Sequence, residues 1–296
     1  TNIFVRRKLD DAKIFVMKML DKNRDGGINK EGNCEENLDC LRSNRGVEWG
    51  KAEMFLEGRM TIKLDYSDDS KEKMINGKKI CVVMPAYNAE KTICQTLDRI
   101  VPIEKYNLEV LVIDDASQDK TFTKVLAYKN NKKLQFKLTI LKNLHNQGFG
   151  GNVKIGFTYA IKNSFDFIAL SHGDGQYPPE EIPKQLKPLL SHKYDAVFGS
   201  RMMTGLDALK GGMPIYKFIG NKVTSWIENK LIGSNLSEFH TGQRLFSVKI
   251  LKKIPFKLNS NDYHFDTQLI IQLHLLEARI IEMPIETFYG DEICYV

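Results

Sequence analysis

"FIALSHGDGQYPPEEI" occupies residues 167–182. Its apolar run stops at His172-Gly173-Asp174-Gly175-Gln176, and Pro178 and Pro179 then open a segment of helical character. Proline is tolerated in the first turn of a helix, where its missing N–H has no intrahelical partner anyway. The stretch reads as buried strand, polar turn and helix, the repeating unit of an alternating α/β fold. Taken alone, the acid between two glycines has two readings: an ordinary polar turn, or a loop that binds something.

The same unit recurs on both sides. "KICVVM" (79–84) precedes a helical segment near 89–101, and "EVLVID" (109–114) one near 119–129. "FKLTIL" (136–141) precedes one near 150–162, and the run at 165–171 one near 179–190. "YDAVFGS" (194–200) leads into a long helical stretch around 214–231. Short, almost uniformly apolar strands separated by helices predict a mostly parallel central sheet with helices on both faces. Residues 79–296 read as one α/β domain and residues 1–78 as an N-terminal extension and linker. In that extension, residues 4–22 suit an amphipathic helix, and "DKNRDGGINKEG" (Asp21–Gly32) repeats the first half of a calcium loop. Position twelve of such a loop supplies a bidentate acid and is Gly32 here, which favours a helix-ending turn over a calcium site.

Composition narrows the function. The chain of 296 residues carries a net charge of +6, and residues 79–296 hold 27 Lys and Arg against 22 Asp and Glu. That surplus suits an anionic ligand or a membrane surface, and no basic block resembles a nucleic-acid stripe, so no nucleic-acid partner is expected. Five cysteines without a CxxC pair argue against a disulfide framework or a zinc site and point to a reducing, cytoplasmic compartment. The first strand is followed by "MPAYNAEKT", which has no glycine, so a dinucleotide fingerprint is missing; "NQGFGGN" (146–152) lacks its spacing. There is no GxxxxGK[ST] either, and His145, His192 and His274 have no ligand-like spacing.

In open sheets of this kind ligands bind beyond the carboxyl ends of the strands. The first strand ends in Pro85-Ala86-Tyr87-Asn88, the second in Asp114-Asp115, the fourth in His172-Gly173-Asp174-Gly175-Gln176, the fifth in Gly199-Ser200-Arg201. Three carboxylates, a glutamine and an arginine at one edge describe a polyanion site with a divalent cation. Mg²⁺ and Mn²⁺ take oxygen ligands, commonly one or two carboxylates plus substrate phosphates. Asp174 and Gln176 are the candidate metal ligands.

Taken together, these segments resemble the family-2 inverting glycosyltransferases with the A-type fold, in the branch of dolichyl-phosphate mannose synthase and bacterial polyprenyl-phosphate glycosyltransferases. The resemblance spans roughly residues 79–289. It implies a nucleotide-diphosphate sugar donor, with Pro85, Ala86, Tyr87 and Asn88 in the opening nucleotide-binding strand and Asp114 and Asp115 at base and ribose. "HGDGQYPPE" resembles the family's DxD-type metal motif, with His172 and Gly173 beside Asp174. "GSR" (199–201) and "TGQRLFS" (241–247) resemble its arginine-bearing motifs, and "FDTQL" and "IIEMPI" its closing helix and strand. Three positions depart from the family pattern: His172 replaces the first metal-motif acid, Gln243 stands where an aromatic is common, and Gln268 where an acid is common.

The resemblance implies inversion at the sugar's anomeric carbon but leaves the acceptor open. A phosphate acceptor such as a polyprenyl phosphate, ionised at neutral pH, needs cationic clamps and no base; Arg201, Lys217 and Arg244 are the candidates. A hydroxyl on a saccharide or protein-linked glycan needs a general base, for which Glu238 and His240 are placed. The first acceptor implies peripheral association with the cytoplasmic face of a membrane. Met213, Ile215, Phe218, Ile219, Val223, Trp226 and Ile227 in the long helical stretch read by default as packing on the sheet, with lipid contact as the other reading. A catalytically inactive nucleotide-sugar or calcium-binding module is the reading from a different class.

Overall fold

The computed structural model describes residues 52–56, 59–64, 77–103, 106–203, 205–287 and 289. The amphipathic stretch at 4–22 and the calcium-loop-like segment Asp21–Gly32 lie outside the described residues. The strands are β1 (Ala52–Leu56), β2 (Arg59–Leu64), β3 (Lys79–Ala86), β4 (Asn107–Asp114), β5 (Lys137–Asn143), β6 (Phe167–Leu170), β7 (Ala196–Ser200), β8 (Arg244–Ser247) and β9 (Ile280–Pro284). The longer helices are α1 (Ile93–Asp98), α2 (Thr121–Asn131), α3 (Gly148–Lys162), α4 (Ile182–Leu190), α5 (Ile215–Ile232) and α6 (His264–Leu275).

The strands form one sheet in the order β1-β2-β5-β4-β3-β6-β8-β7-β9. β5, β4, β3 and β6 run parallel, as the apolar runs predict, and β7 pairs parallel with β9. β8 is antiparallel to both β6 and β7 and lies between them. Because it runs the other way, β8 begins at the edge where its neighbours end, which brings Thr241-Gly242-Gln243-Arg244 to the strand-end loops. At the opposite side, β2 pairs antiparallel with β5, and β1 pairs with β2. Two strands thus lie inside the stretch read as an extension.

Side chains on β3 show why both faces are covered. Ile80, Val82 and Met84 join a core with Ile93 and Leu97 of α1 and Ile182 and Leu186 of α4. Cys81 and Val83 join a second core with Phe157 of α3 and Phe265 and Leu269 of α6. The alternation of a strand sends successive residues to opposite faces, so an unbroken apolar run needs helices on both. Helix α3 is buried along most of its length and lies so close to β3 that a Cβ on Gly156 would stand 2.4 Å from Val83 Cγ1.

That close approach generates a prediction. Gly156→Val inserts volume where none is free and should destabilise the domain by about 1–3 kcal/mol, the usual cost of overpacking. Urea unfolding monitored by circular dichroism checks it; an unchanged midpoint would contradict the helix-to-sheet contact.

Candidate active site

The loops after β3 and β4 are laced into one wall. Asn88 N–H donates to Ser117 Oγ at 2.9 Å, Gln118 N–H to Asn88 Oδ1 at 3.0 Å, and Ala89 N–H to Thr121 Oγ1 at 2.7 Å. Asn88 and Ala116 both have φ in the left-handed region, at 50° and 58°. For alanine that backbone is strained, a condition that persists where surrounding bonds enforce it. Pro85 and Ala86 are buried below this wall, Tyr87 is half-buried and Asn88 is exposed.

Asp114 is buried, and burial raises its pKa, with Ser117 and Lys142 offsetting part of the effect. Asp115 is also raised by burial, and its oxygens are occupied. Oδ1 accepts from Asn143 Nδ2 and Gln147 N–H, both at 2.7 Å, and Oδ2 from Gly148 N–H at 3.0 Å. A carboxylate there answers the unpaired N–H groups and positive dipole end of α3. The resemblance implies Asp115 at donor base and ribose; in this structure its carboxylate holds the start of α3.

The turn after β6 is fixed from the outside. Gly173 carbonyl accepts from Thr92 Oγ1 at 2.9 Å, and Arg99 Nη1 donates to Gly175 carbonyl at 2.9 Å while pairing with Glu180. Asp174 Oδ1 accepts from Gln176 N–H at 2.9 Å, but Oδ2 is buried without a hydrogen-bond partner among the described residues. The His172 ring is buried between Phe149 and Tyr177, with centroids at 5.4 and 5.1 Å. Gly242 lies against it so closely that a Cβ would come within 2.6 Å of His172 Nε2. Burial lowers the His172 pKa, opposed by Asp174 and Asp266 and reinforced by Arg244 and Arg201. The same burial therefore favours the neutral imidazole at pH 7.

Two arginines are buried beside this turn, each with an acid. Arg201 gives its backbone N–H to Glu238 Oε2 and its Nε to Glu238 Oε1, both at 2.8 Å. Its Nη2 also reaches Glu238 and the His240 carbonyl, and Nη1 reaches the Tyr289 hydroxyl at 2.6 Å. Arg244 is 0% exposed; its Nη1 pairs with Asp266 Oδ1 at 2.8 Å and its Nη2 donates to Phe239 carbonyl at 2.6 Å. Glu238 is 0% exposed, and both its carboxylate oxygens accept from Arg201. Both guanidiniums are neutralised in place, so neither is an open phosphate clamp in this state, although Arg244 Nε keeps a buried N–H without a partner among the described residues. His240 is partly exposed and pairs through Nε2 with Glu228 at 3.2 Å. Lys217 lies exposed on α5.

Sequence reasoning missed Asp266. It looked for the closing-helix acid at Gln268, whose Oε1 instead accepts from Ser260 N–H at 2.7 Å. Asp266 sits in the first turn of α6, raised by burial and opposed by the nearby Arg244, His172 and His240. The missed signal was an acid inside "FDTQL" itself.

Unsatisfied atoms concentrate here. Among the described residues Ser171 Oγ, His172 Nε2, Asp174 Oδ2, Thr241 Oγ1, Gln243 Oε1 and Arg244 Nε are buried without a hydrogen-bond partner, and so is Arg244 Nη1, which meets Asp266 as an ion pair outside hydrogen-bond alignment. Each such group costs about 1–3 kcal/mol unless something else pairs with it. Seven within two short segments mark a place where a polar ligand belongs. Among the described residues no three His, Cys, Asp or Glu side chains could enclose a metal ion. Asp174 Oδ2 suits a cation that takes most of its ligands from a bound substrate.

Comparison with known proteins gives this edge its context. The glycosyl transferase family 2 model matches residues 81–255, and the chain belongs to that family. An uncharacterized protein of Methanocaldococcus jannaschii is 34% identical over 73% of this chain and 84% of its own. The UDP-N-acetylglucosamine–dolichyl-phosphate N-acetylglucosaminyltransferase of Methanococcus voltae is 28% identical over 72% of this chain and 87% of its own. Glucosyl-3-phosphoglycerate synthase of Mycobacterium tuberculosis, solved with Mn²⁺, UDP and phosphoglyceric acid, superposes with a TM-score of 0.53. That match covers 74% of this chain and 72% of that one at 18% identity, a likeness of fold. The chain is a glycosyltransferase of A-type fold that transfers sugar from a nucleotide sugar.

The buried imidazole yields a pH prediction. With the folded pKa of His172 below its unfolded value of about 6.5, the unfolded chain binds a proton that the folded chain refuses. Stability from this group is therefore complete above that value and declines as pH falls towards the folded pKa. The His172 Cε1–H resonance should titrate with a midpoint below 6.5, and His172→Asn should flatten the loss of stability between neutral and mildly acid pH. A midpoint above 6.5 would contradict the burial argument.

Proposed function

We propose that this family-2 glycosyltransferase uses Mg²⁺ or Mn²⁺ to transfer a sugar from its nucleotide-diphosphate donor to a polyprenyl phosphate at the cytoplasmic face of a membrane. The observation that carries the reading is the set of unsatisfied buried polar atoms from Ser171 to Asp174 and from Thr241 to Arg244. Asp174 Oδ2 would hold the cation, with Gln176 the further oxygen donor read from the sequence. The cation, when bound, neutralises charge on the leaving diphosphate and orients it. Pro85, Ala86, Tyr87, Asn88 and Asp114 line the wall that would take the nucleoside. His172, neutral, can donate one hydrogen bond without adding charge next to the cation. Its own Nε2 and the Nε–H of Arg244 are groups a phosphate oxygen or sugar hydroxyl would satisfy.

A phosphate acceptor needs orientation more than deprotonation. Arg244 offers its buried Nε–H, and Asp266 neutralises the guanidinium that carries it. The Methanococcus voltae relative, named for a dolichyl phosphate, supports the lipid-phosphate class of acceptor. A hydroxyl acceptor is the second reading, and one observation favours it. Asp266 is a mostly buried carboxyl whose pKa burial raises, beside Arg244, a setting that suits a general base, whereas both oxygens of Glu238 are taken by Arg201.

An acceptor panel separates the two. With a nucleotide-sugar donor and Mn²⁺, wild type should glycosylate a short-chain prenyl phosphate and leave the matching prenyl alcohol untouched. Transfer to the alcohol or to a free saccharide, abolished by Asp266→Asn, would give the hydroxyl reading. Asp174→Asn should lower kcat/KM by at least about a hundredfold, or ~2.7 kcal/mol of transition-state stabilisation, with an unchanged circular dichroism spectrum. Full activity in that variant would sink the metal assignment.

A further inference from the structure

Helix α5 is inside out. Among the described residues, nine of the fifteen exposed large hydrophobic ones fall between 203 and 231: Met203, Leu206, Ile215, Tyr216, Ile219, Val223, Trp226, Ile227 and Leu231. Seven of them are on α5, and at 3.6 residues per turn they share one arc of about 160°. Trp226 is 62% exposed and Ile215 68%. The face turned to the domain is the polar one. Ser225 Oγ accepts from Phe239 N–H, Asn229 bonds both ways to the backbone of Leu236, and Glu228 pairs with His240 and accepts from Thr267 Oγ1. Two apolar residues anchor the helix inward: Phe218, in a small cluster with Met202, Ala208 and Met213, and Ile232 at its end, packed against the core. The default reading, apolar residues on the sheet, is therefore overturned for Ile215, Ile219, Val223, Trp226 and Ile227.

We propose that this outward face of α5, with Met203 and Leu206, docks onto the interfacial layer of an anionic lipid bilayer. Charge selects the occupant. Lys217 and Lys222 border the apolar arc, Lys230 lies within it, and all three are exposed. The one acid of the helix, Glu228, is turned to the domain and paired. An apolar arc with a tryptophan, lysines at its borders and no outward acid matches a helix lying in a bilayer interface. The helix lies on the membrane and does not cross it, because no helix among the described residues is long and apolar enough to span. Its inner face touches His240, so docking would hold the site about one helix diameter, ~10 Å, above the lipid. The inference deepens the polyprenyl-phosphate reading and rests on it for its purpose: the acceptor's tail stays in the bilayer while its phosphate reaches the loops.

Trp226 is its own probe. The sequence has two tryptophans, so Trp49→Phe leaves Trp226 alone. In that protein, vesicles of phosphatidylcholine and phosphatidylglycerol should shift the emission to the blue, and brominated acyl chains should quench it. In the natural background, Ile219→Asp with Trp226→Asp should reduce co-sedimentation with these vesicles at least about tenfold and keep transfer to a short-chain, water-soluble prenyl phosphate. Lys222→Glu with Lys230→Glu should weaken binding to the anionic vesicles and not to phosphatidylcholine alone. Unchanged emission, or co-sedimentation equal in wild type and the apolar variant, would overturn the proposal. So would a wild-type dimer that ignores vesicles and becomes a monomer in that variant, which assigns the face to a second copy. Vesicle binding without any prenyl-phosphate transfer would instead sink the acceptor reading and leave the surface standing.

Discussion

A guanidinium with no exposure lies at the ligand-binding edge of the sheet, and much of the site follows from neutralising it. Arg244 is the first residue of β8, registered opposite Leu170 of β6 and Phe198 of β7. A buried charge left without its partner is strongly destabilising, by roughly 3–5 kcal/mol. Helix α6 must therefore deliver Asp266 to it, and the Phe239 carbonyl must turn inward to accept its second nitrogen. The reversal of β8 is part of the same constraint. Only an antiparallel strand at that position begins, and so presents Thr241-Gly242-Gln243, beside the turn that ends β6.

That contact joins the two halves of the site. Gly242 admits the His172 ring, Gln243 Nε2 donates to the Pro178 carbonyl at 2.8 Å, and the Tyr177 ring lies between His172 and the Arg201 guanidinium. Neutral His172 adds no charge beside Asp174, whereas a second carboxylate would repel it until a cation arrived. The Arg201–Glu238 pair holds the segment from 238 to 244 against β7, and His240 in that segment reaches Glu228 of α5. Ring contacts at His172 and Tyr177, followed by polar contacts from Arg201 through His240 to Glu228, therefore link the turn of the proposed metal ligand to the inner face of the proposed membrane-docking helix.

The apolar runs at 79–84, 109–114, 136–141, 165–171 and 194–200 made the mostly parallel sheet legible, because strands buried on both faces leave no polar alternation to confuse them. β8 was not legible as a strand: its four residues begin with an arginine that only a distant aspartate makes tolerable. The hairpin partner strands at 52–64 were hidden by the polar segment that follows them. Position at a strand end was enough to place His172 and Asp174 at the edge where the unsatisfied polar atoms gather. It could not show that Asp115 caps α3, that Glu238 is consumed by Arg201, or that Asp266 matters, since each depends on pairing across elements. For α5 the rule that apolar faces turn inward pointed the wrong way, and helical spacing alone cannot reveal which face is covered.

The central claim is that the unsatisfied strand-end atoms bind a donor diphosphate through a cation that the protein alone holds weakly. Isothermal titration of Mn²⁺ into the protein, with and without UDP or GDP, tests it directly. Coupled sites change each other's affinity by the same factor. The account predicts weak Mn²⁺ binding alone, tightened at least about tenfold (~1.4 kcal/mol) by the matching nucleotide, with nucleotide affinity raised equally by Mn²⁺. Tight Mn²⁺ binding without nucleotide, or nucleotide binding indifferent to Mn²⁺, would contradict it.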